Sequence, residues 1–338
     1  MKLFLNADCG IRNGTIAVYL VAFAIGVIGP QLVLGAEQAA NLPRIGVVLH
    51  GGPYYGVLDG LRDGLKAVGL EDGQRLTLVV RDARGDAMAA AGAAQTLEQE
   101  RVRLIVAITT SVTLAVKRAT AQVPIVFIAG TDPVASGLVQ SIAKPGGRLT
   151  GVHILTSDLT AKRLELLKEL LPGLRRIITF YNPSNPVAPV VVRAVRQAGQ
   201  MLHVQIVERP VPSVEALRAE VRVLTADREG AYFFLSDAMV QSQAQVILDA
   251  ATAARLPTMA YDLELAASGA LVCYGVNYRD LGREAASFVQ RILAGAHPED
   301  LPVQEVDRLE LAVNLKTSKA LGVTIPQSIM IRVDQAIQ

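Results

Sequence analysis

From residue 42 onward the chain alternates short β-branched runs with amphipathic helical stretches, and it does so twice in succession. Few folds satisfy that rhythm. Strands buried on both faces and joined by helices form a parallel sheet with helical crossovers. In the first pass the strands read as 44–49, 76–80, 104–108 and 124–129, and the helices as 57–68, 86–100 and 112–121. In helix 57–68, Val57, Leu61, Leu65 and Val68 recur at helical spacing and Gly69 supplies the stop.

The second pass predicts helices at 159–171, 186–202, 214–225 and 240–254, alternating with strands at 176–180, 204–208, 231–235 and 257–261. The halves rhyme locally: strand 104–108, Thr109, a helix and Val123-Pro124 in one match strand 231–235, Ser236, a helix and Leu256-Pro257 in the other. The expected class is α/β, with two similar Rossmann-like lobes built on parallel sheets. A helix at 279–294 follows (Leu281, Ala285, Phe288, Ile292, stopped by Gly295), then an extended segment at 306–315 and a short helix at 317–321. Neither lobe lacks an element, so this tail is expected to return to the first lobe and cross again. That gives lobe 1 as 42–155 with a returning segment of about 279–312, and lobe 2 as 156–278 with a C-terminal segment of about 313–338. In open parallel sheets ligands bind at the carboxyl ends of the strands, which puts the site in the cleft between the lobes.

The first 36 residues have a different character. Lys2 and Arg12 precede an uncharged run from 13 to 36, and Leu34-Gly35-Ala36 closes it before Glu37. Charge, apolar core and small residues in that order are the pattern of a secretory signal, with a retained membrane anchor as the alternative. Gly29-Pro30 late in the run favours cleavage after Ala36, leaving 302 residues with net charge +1. So even a balance argues against a nucleic-acid partner. Cys9 lies in the leader and precedes its apolar run, which disfavours a lipoprotein anchor, and Cys273 alone cannot form an intrachain disulfide. The expected location is extracytoplasmic, in the periplasm.

Several blocks carry a family resemblance. Asp132-Pro133-Val134-Ala135-Ser136-Gly137-Leu138-Val139, Pro145-Gly146-Gly147-Arg148-Leu149-Thr150-Gly151, the helix around Lys162-Arg163-Leu164-Glu165, Asn182-Pro183-Ser184-Asn185-Pro186, Leu301-Pro302-Val303 and the run from Asn314 to Pro326 occur in order over nearly the whole mature chain. Together they resemble the ABC-transporter substrate-binding proteins of the TrpX-like type. The resemblance implies a type I periplasmic-binding fold with three interlobe crossovers, no catalysis, and a small ligand handed to a membrane permease. Thr110-Ser111 stands where the family commonly has proline, Arg148 where asparagine commonly follows the paired glycines, and Ser268-Gly269 where a glycine pair is frequent.

Loops at strand ends supply the candidate ligand contacts. His50-Gly51-Gly52-Pro53-Tyr54-Tyr55-Gly56 follows the first strand, where glycines permit close backbone approach and Tyr54 or Tyr55 could stack on a planar group; the alternative is a turn with one tyrosine packed beneath it. Thr109, Thr110 and Ser111 precede a helix, where hydroxyls and free amides hold a carboxylate or simply cap the helix. Asp132 offers an acceptor for an ammonium group or a turn before Pro133. Asn182, Ser184 and Asn185, then Ser236-Asp237 and Tyr261-Asp262, end strands of the second lobe and either bind ligand or cap the next helix.

Enzymatic readings find little support. His50, His153, His203 and His297 are scattered without metal-ligand spacing, and Cys273 sits in a β-rich stretch as a small core residue. No nucleophile elbow, phosphate-binding loop or zinc-protease motif occurs. No catalytic residue, metal or cofactor is expected. The sequence is read as a monomeric solute-binding protein that closes on an amino acid, a small amide or a planar nitrogenous solute, an aromatic amino acid being favoured. A ligand-sensing module of a membrane receptor and a cell-envelope enzyme are the competing classes.

Overall fold

The first sheet is assembled from strands β1 (Arg44–Leu49), β2 (Thr77–Asp82), β3 (Leu104–Ile108), β4 (Ile125–Ala129), β5 (Leu149–His153) and, far along the chain, β11 (Gln304–Glu305). Its order is β11-β5-β4-β3-β1-β2, and every pairing is parallel. This is a computed structural model, and it describes residues 42–154, 159–227 and 229–338. The leader read at 1–36, with Cys9, lies outside those residues.

Helices α1 (Tyr54–Ala67), α2 (Ala87–Gln99) and α3 (Thr110–Ala119) connect the first four strands. Strands β1, β3 and β4 are apolar throughout because both sheet faces are covered by helices, and nearly every one of their residues is buried. Helix α1 begins three residues earlier than its periodicity predicts. Pro53, at φ −59°, has its dihedral already set for helix, so Tyr54 and Tyr55 belong to the first turn and not to a loop.

The second lobe repeats the plan with α4 (Thr160–Leu170), β6 (Arg176–Tyr181), α5 (Ala188–Leu202), β7 (Gln205–Pro210), α6 (Val214–Arg222), β8 (Gly230–Phe233), α7 (Ala238–Ser242), α8 (Ala244–Ala253), β9 (Thr258–Asp262), α9 (Glu264–Ala267) and β10 (Val272–Val276). The single helix expected at 240–254 is two, broken at Gln243, whose φ of −106° and ψ of 19° leave the helical range. Helix α10 (Tyr278–Leu293) then returns to lobe 1 and packs on α1, and β11 extends the first sheet. Strand β12 (Glu310–Asn314), α11 (Leu315–Leu321), α12 (Gln327–Met330) and β13 (Gln335–Ile337) complete lobe 2. The returning segment is thus shorter than the 279–312 read from sequence, because β12 already pairs with β10. That pairing is antiparallel, so the second sheet, β13-β12-β10-β9-β8-β6-β7, is mixed.

Close packing of α10 on α1 depends on three glycines. A Cβ on Gly60 would lie 1.8 Å from the Arg279 carbonyl oxygen, one on Gly64 2.7 Å from Ala286 Cβ, and one on Gly282 2.0 Å from the Val57 carbonyl oxygen. Leu61 and Leu65 are fully buried on α1, each stabilising the fold by about 2 kcal/mol. Arg44–Gln338 forms one compact unit.

Candidate functional site

In both sheets the first five strands follow the order second, first, third, fourth, fifth, so each has a switch point between its first and third strands. Loops leaving those two strands diverge and open a crevice. In lobe 1 they carry residues 50–53 and Thr109; in lobe 2 they carry Asn182, Asn185, Ser236 and Asp237. A cavity lies between the two crevices, with walls from both lobes, and the space in it open to the centre of a water molecule is about 50 Å3.

The wall from lobe 1 is the front of α3. Thr109 has φ 92° and ψ 154°, a conformation that strains a β-branched residue by roughly 1–3 kcal/mol. Its neighbours hold it there: Thr109 N donates to the Ile128 carbonyl at 2.9 Å, while the Thr109 carbonyl accepts from Thr113 N at 3.0 Å and Thr113 Oγ1 at 2.7 Å. Thr109 Oγ1 accepts from Val112 N at 3.3 Å. With Val112 and Thr113 so occupied, Thr110 and Ser111 carry the remaining unpaired amides of the first turn, at the positive end of the helix dipole. Thr110 Oγ1 lies 3.0 Å from Thr131 Oγ1 and accepts from Gly130 N at 3.2 Å. Ser111 Oγ lies 3.2 Å from Thr109 Oγ1 and 3.4 Å from His50 Nε2. Burial pushes the His50 imidazole down to about 4, against the opposing pull of Asp82 and Asp86, so it is neutral at neutral pH.

Three tyrosines form the aromatic wall. Tyr54 and Tyr278 stack with centroids 5.5 Å apart and planes 13° from parallel, a contact made by the close approach of α1 and α10. Tyr261 comes from the end of β9, and the guanidinium of Arg163, itself only 1% exposed, sits 5.3 Å from its ring centroid. Arg163 Nε donates to the Tyr274 carbonyl at 2.8 Å, and burial lowers the group to about 10. Burial raises all three phenols above their usual range, so their hydroxyls are neutral donors and acceptors.

The sequence profile described as ABC transporter substrate binding protein matches residues 44–337. This chain belongs to that family. A tyrosine-binding protein of Clostridioides difficile (strain R20291) is 30% identical over 259 residues, 76% of this chain and 74% of its own. Among solved structures, a conserved domain protein from Vibrio cholerae superposes with a TM-score of 0.80 at 28% identity, covering 88% of this chain and 100% of that one. An ABC domain in complex with L-Trp from Streptococcus pneumonia superposes with a TM-score of 0.74 at 23% identity, covering 87% of this chain and 100% of that one. The fold is the type I periplasmic-binding fold, and the family is one of non-catalytic binding proteins.

In this substrate-binding protein, seven of the residues singled out from the sequence line the cavity: Tyr54, Thr109, Thr110, Ser111, Asn185, Ser236 and Tyr261. Six others do not. Tyr55 is 42% exposed and its hydroxyl bonds Asp82 Oδ2 at 3.1 Å, because consecutive helical positions face apart. Asp132 is exposed and its Oδ1 accepts from Val134 N at 2.7 Å and Ala135 N at 3.1 Å, the turn-forming alternative. Ser184 is exposed, and Asn182 uses its Oδ1 to accept from Ser184 N at 2.9 Å.

The two aspartates of lobe 2 lie behind the wall. Asp237 Oδ2 accepts from Asn182 N at 3.0 Å and Asn185 Nδ2 at 2.9 Å, while Oδ1 accepts from Val240 N at 3.0 Å. It therefore orients Asn185 toward the cavity and caps α7, and burial still raises its pKa. Asp262 is fully buried, bonds Glu264 N at 3.1 Å and Gln241 Nε2 at 3.4 Å, and is pushed up to about 8 by burial. Sequence reasoning missed Thr131, Tyr278 and the aliphatic lining of Val57, Ile108, Ile128, Ile154, Val187 and Leu281. Tyr278 alone had a readable signal, as an aromatic opening the helix that returns to lobe 1. Among the described residues no group of three acidic, histidine or cysteine side chains is arranged for a metal, and no helix is long and apolar enough to cross a membrane.

Proposed function

We propose that this protein binds an aromatic α-amino acid between its lobes and delivers it, outside the cytoplasm and as a monomer, to a membrane permease. The observation that carries the reading is one cavity lined by two unlike sets of groups: the Thr110 and Ser111 amides at the front of α3, and the tyrosines 54, 261 and 278. An α-carboxylate suits the first, since backbone amides and a helix dipole favour an anion there. A ring suits the second, flanked by Val57, Ile128 and Leu281. Support comes also from relatives named for tyrosine and solved with L-Trp.

Walls from both lobes matter for the transport cycle. A ligand shifts an open–closed balance only by its differential affinity for the two states, and here it would touch Thr110 and Ser111 on one side and Asn185 and Ser236 on the other. Calorimetric titration with L-tyrosine and L-tryptophan tests the reading. Ser111→Ala is expected to weaken binding roughly tenfold or more, as loss of a hydrogen bond to a charged group costs about 1.5–3 kcal/mol. Full retention of affinity would remove the Ser111 hydroxyl from the site, and no heat with either amino acid would overturn the ligand class.

A further inference from the structure

Lobe 1 meets lobe 2 through glycines. A Cβ placed on Gly52, at φ +57°, would lie 2.5 Å from the Ser242 carbonyl oxygen and 2.9 Å from its Cα, both in the backbone of α7. One on Gly85, at φ +84°, would lie 3.1 Å from Met239 Cγ, 3.2 Å from Ser242 Oγ and 3.2 Å from Val214 Cγ2. One on Gly56 would lie 2.7 Å from the Glu264 carboxylate. Of the three, only Gly52 faces main chain.

That difference decides which contact limits the approach of the lobes. The Glu264 carboxylate facing Gly56 is the end of a flexible side chain and can rotate aside, and the 3.1–3.2 Å contacts at Gly85 are relieved by shifts of a few tenths of an ångström, whereas the carbonyl of Ser242 is fixed. Its helix is capped by Asp237, which is fully buried and holds the Asn182–Asn185 turn with its other oxygen. The loop on the other side is equally constrained. Gly51, at φ +75°, packs against the Asp82 carboxylate, and Pro53 opens α1 directly afterwards.

We propose that Gly52, resting on the Ser242 backbone, is the stop of the closing motion, so that ligand affinity is set in part by a residue outside the cavity wall. The proposal rests on the reading that the lobes close around a ligand. A side chain at position 52 holds the strand ends of β1 and α7 apart, so Thr110 and Ser111 can no longer share a ligand with Asn185 and Ser236. Main-chain contact also makes the stop insensitive to which side chains α7 carries.

Gly52→Asn is the variant of choice, because asparagine tolerates the left-handed conformation at φ +57° while still carrying the offending Cβ. Gly69→Asn is its control: Gly69 has φ +78° and a Cβ there would meet nothing within 4 Å, so it reports backbone strain alone. Titration with L-tyrosine and L-tryptophan is expected to show Kd raised at least tenfold in Gly52→Asn and unchanged in Gly69→Asn, with similar melting temperatures for the two variants without ligand. Small-angle scattering at saturating amino acid is expected to give a larger radius of gyration for Gly52→Asn than for wild type. Wild-type affinity in Gly52→Asn overturns the stop. Should wild type take up neither amino acid, the proposed function falls, and the stop is judged by scattering without added ligand: a larger radius for Gly52→Asn than for wild type and Gly69→Asn supports it, and equal radii overturn it.

Discussion

Arg148, standing where the family commonly has asparagine, lends itself to a quantitative test. Its Nη1 donates to Thr120 Oγ1 at 3.0 Å and the Val123 carbonyl at 2.9 Å, and its Nη2 donates to the Lys117 and Thr120 carbonyls, each at 2.8 Å. The guanidinium thereby closes the C-terminal end of α3, the helix whose other end faces the cavity, and its charge complements the dipole there. Arg148→Met removes four bonds from a charged donor. A single such bond is worth about 1.5–3 kcal/mol, but these acceptors are near solvent and water recovers part of the loss, so the expected cost is about 2–4 kcal/mol. Arg148→Lys recovers less than half, since one ammonium cannot span both pairs of acceptors as a planar fork does. Urea unfolding followed by circular dichroism measures the loss, and titration with L-tyrosine is expected to change less than twofold. A Met variant within about 0.5 kcal/mol of wild type, the spread of ordinary surface substitutions, would refute the capping argument.

His50 has its folded-state pKa pushed down to about 4, below the 6.5 of an unperturbed imidazole, so its contribution is intact above pH 6.5 and is lost as pH falls toward 4. The full swing is about 3 kcal/mol, and the difference between wild-type and His50→Gln stability, measured by denaturant titration at a series of pH values, should close over that window. Thr109→Gly relieves the strain at φ 92° while forfeiting a cap that glycine replaces at small cost, so it should melt at or above the wild-type temperature, whereas Thr109→Ala should melt below it. Asp132→Ala should lower stability by about 1 kcal/mol through the amides of Val134 and Ala135 and leave the calorimetric affinity for L-tyrosine unchanged.

The α/β rhythm was legible because it is local: β-branched runs and apolar spacing report strand and helix without knowledge of partners. Strand β5 escaped because Thr150 and Gly151 interrupt its apolar run, and Gly151 is needed where a Cβ would meet the Phe127 carbonyl at 2.0 Å. Candidate contacts at strand ends were legible for the same reason, since locating a strand locates its carboxyl end. Which way a polar group faces is a tertiary matter. Asp237 and Ser236 are neighbours in sequence, yet one carboxylate is consumed by three donors from its own lobe and the serine reaches the cavity wall. Tyr278 and Tyr54 are far apart in the chain, and only the glycine-lined crossing of α1 and α10 stacks them.

That crossing also dictates when the site can come into being. A chain emerging from its N-terminus presents α1 with Gly60 and Gly64 facing empty space until Tyr278–Leu293 follow, long after the rest of the first sheet apart from β11 has been made. Contacts of such sequence separation carry a large loop-closure cost and form late. Lobe 1 is therefore finished only after lobe 2 is nearly complete, and the tyrosine stack is among the last features to appear. A chain cut short before Tyr278 loses half of the cavity's stacked pair along with its tail.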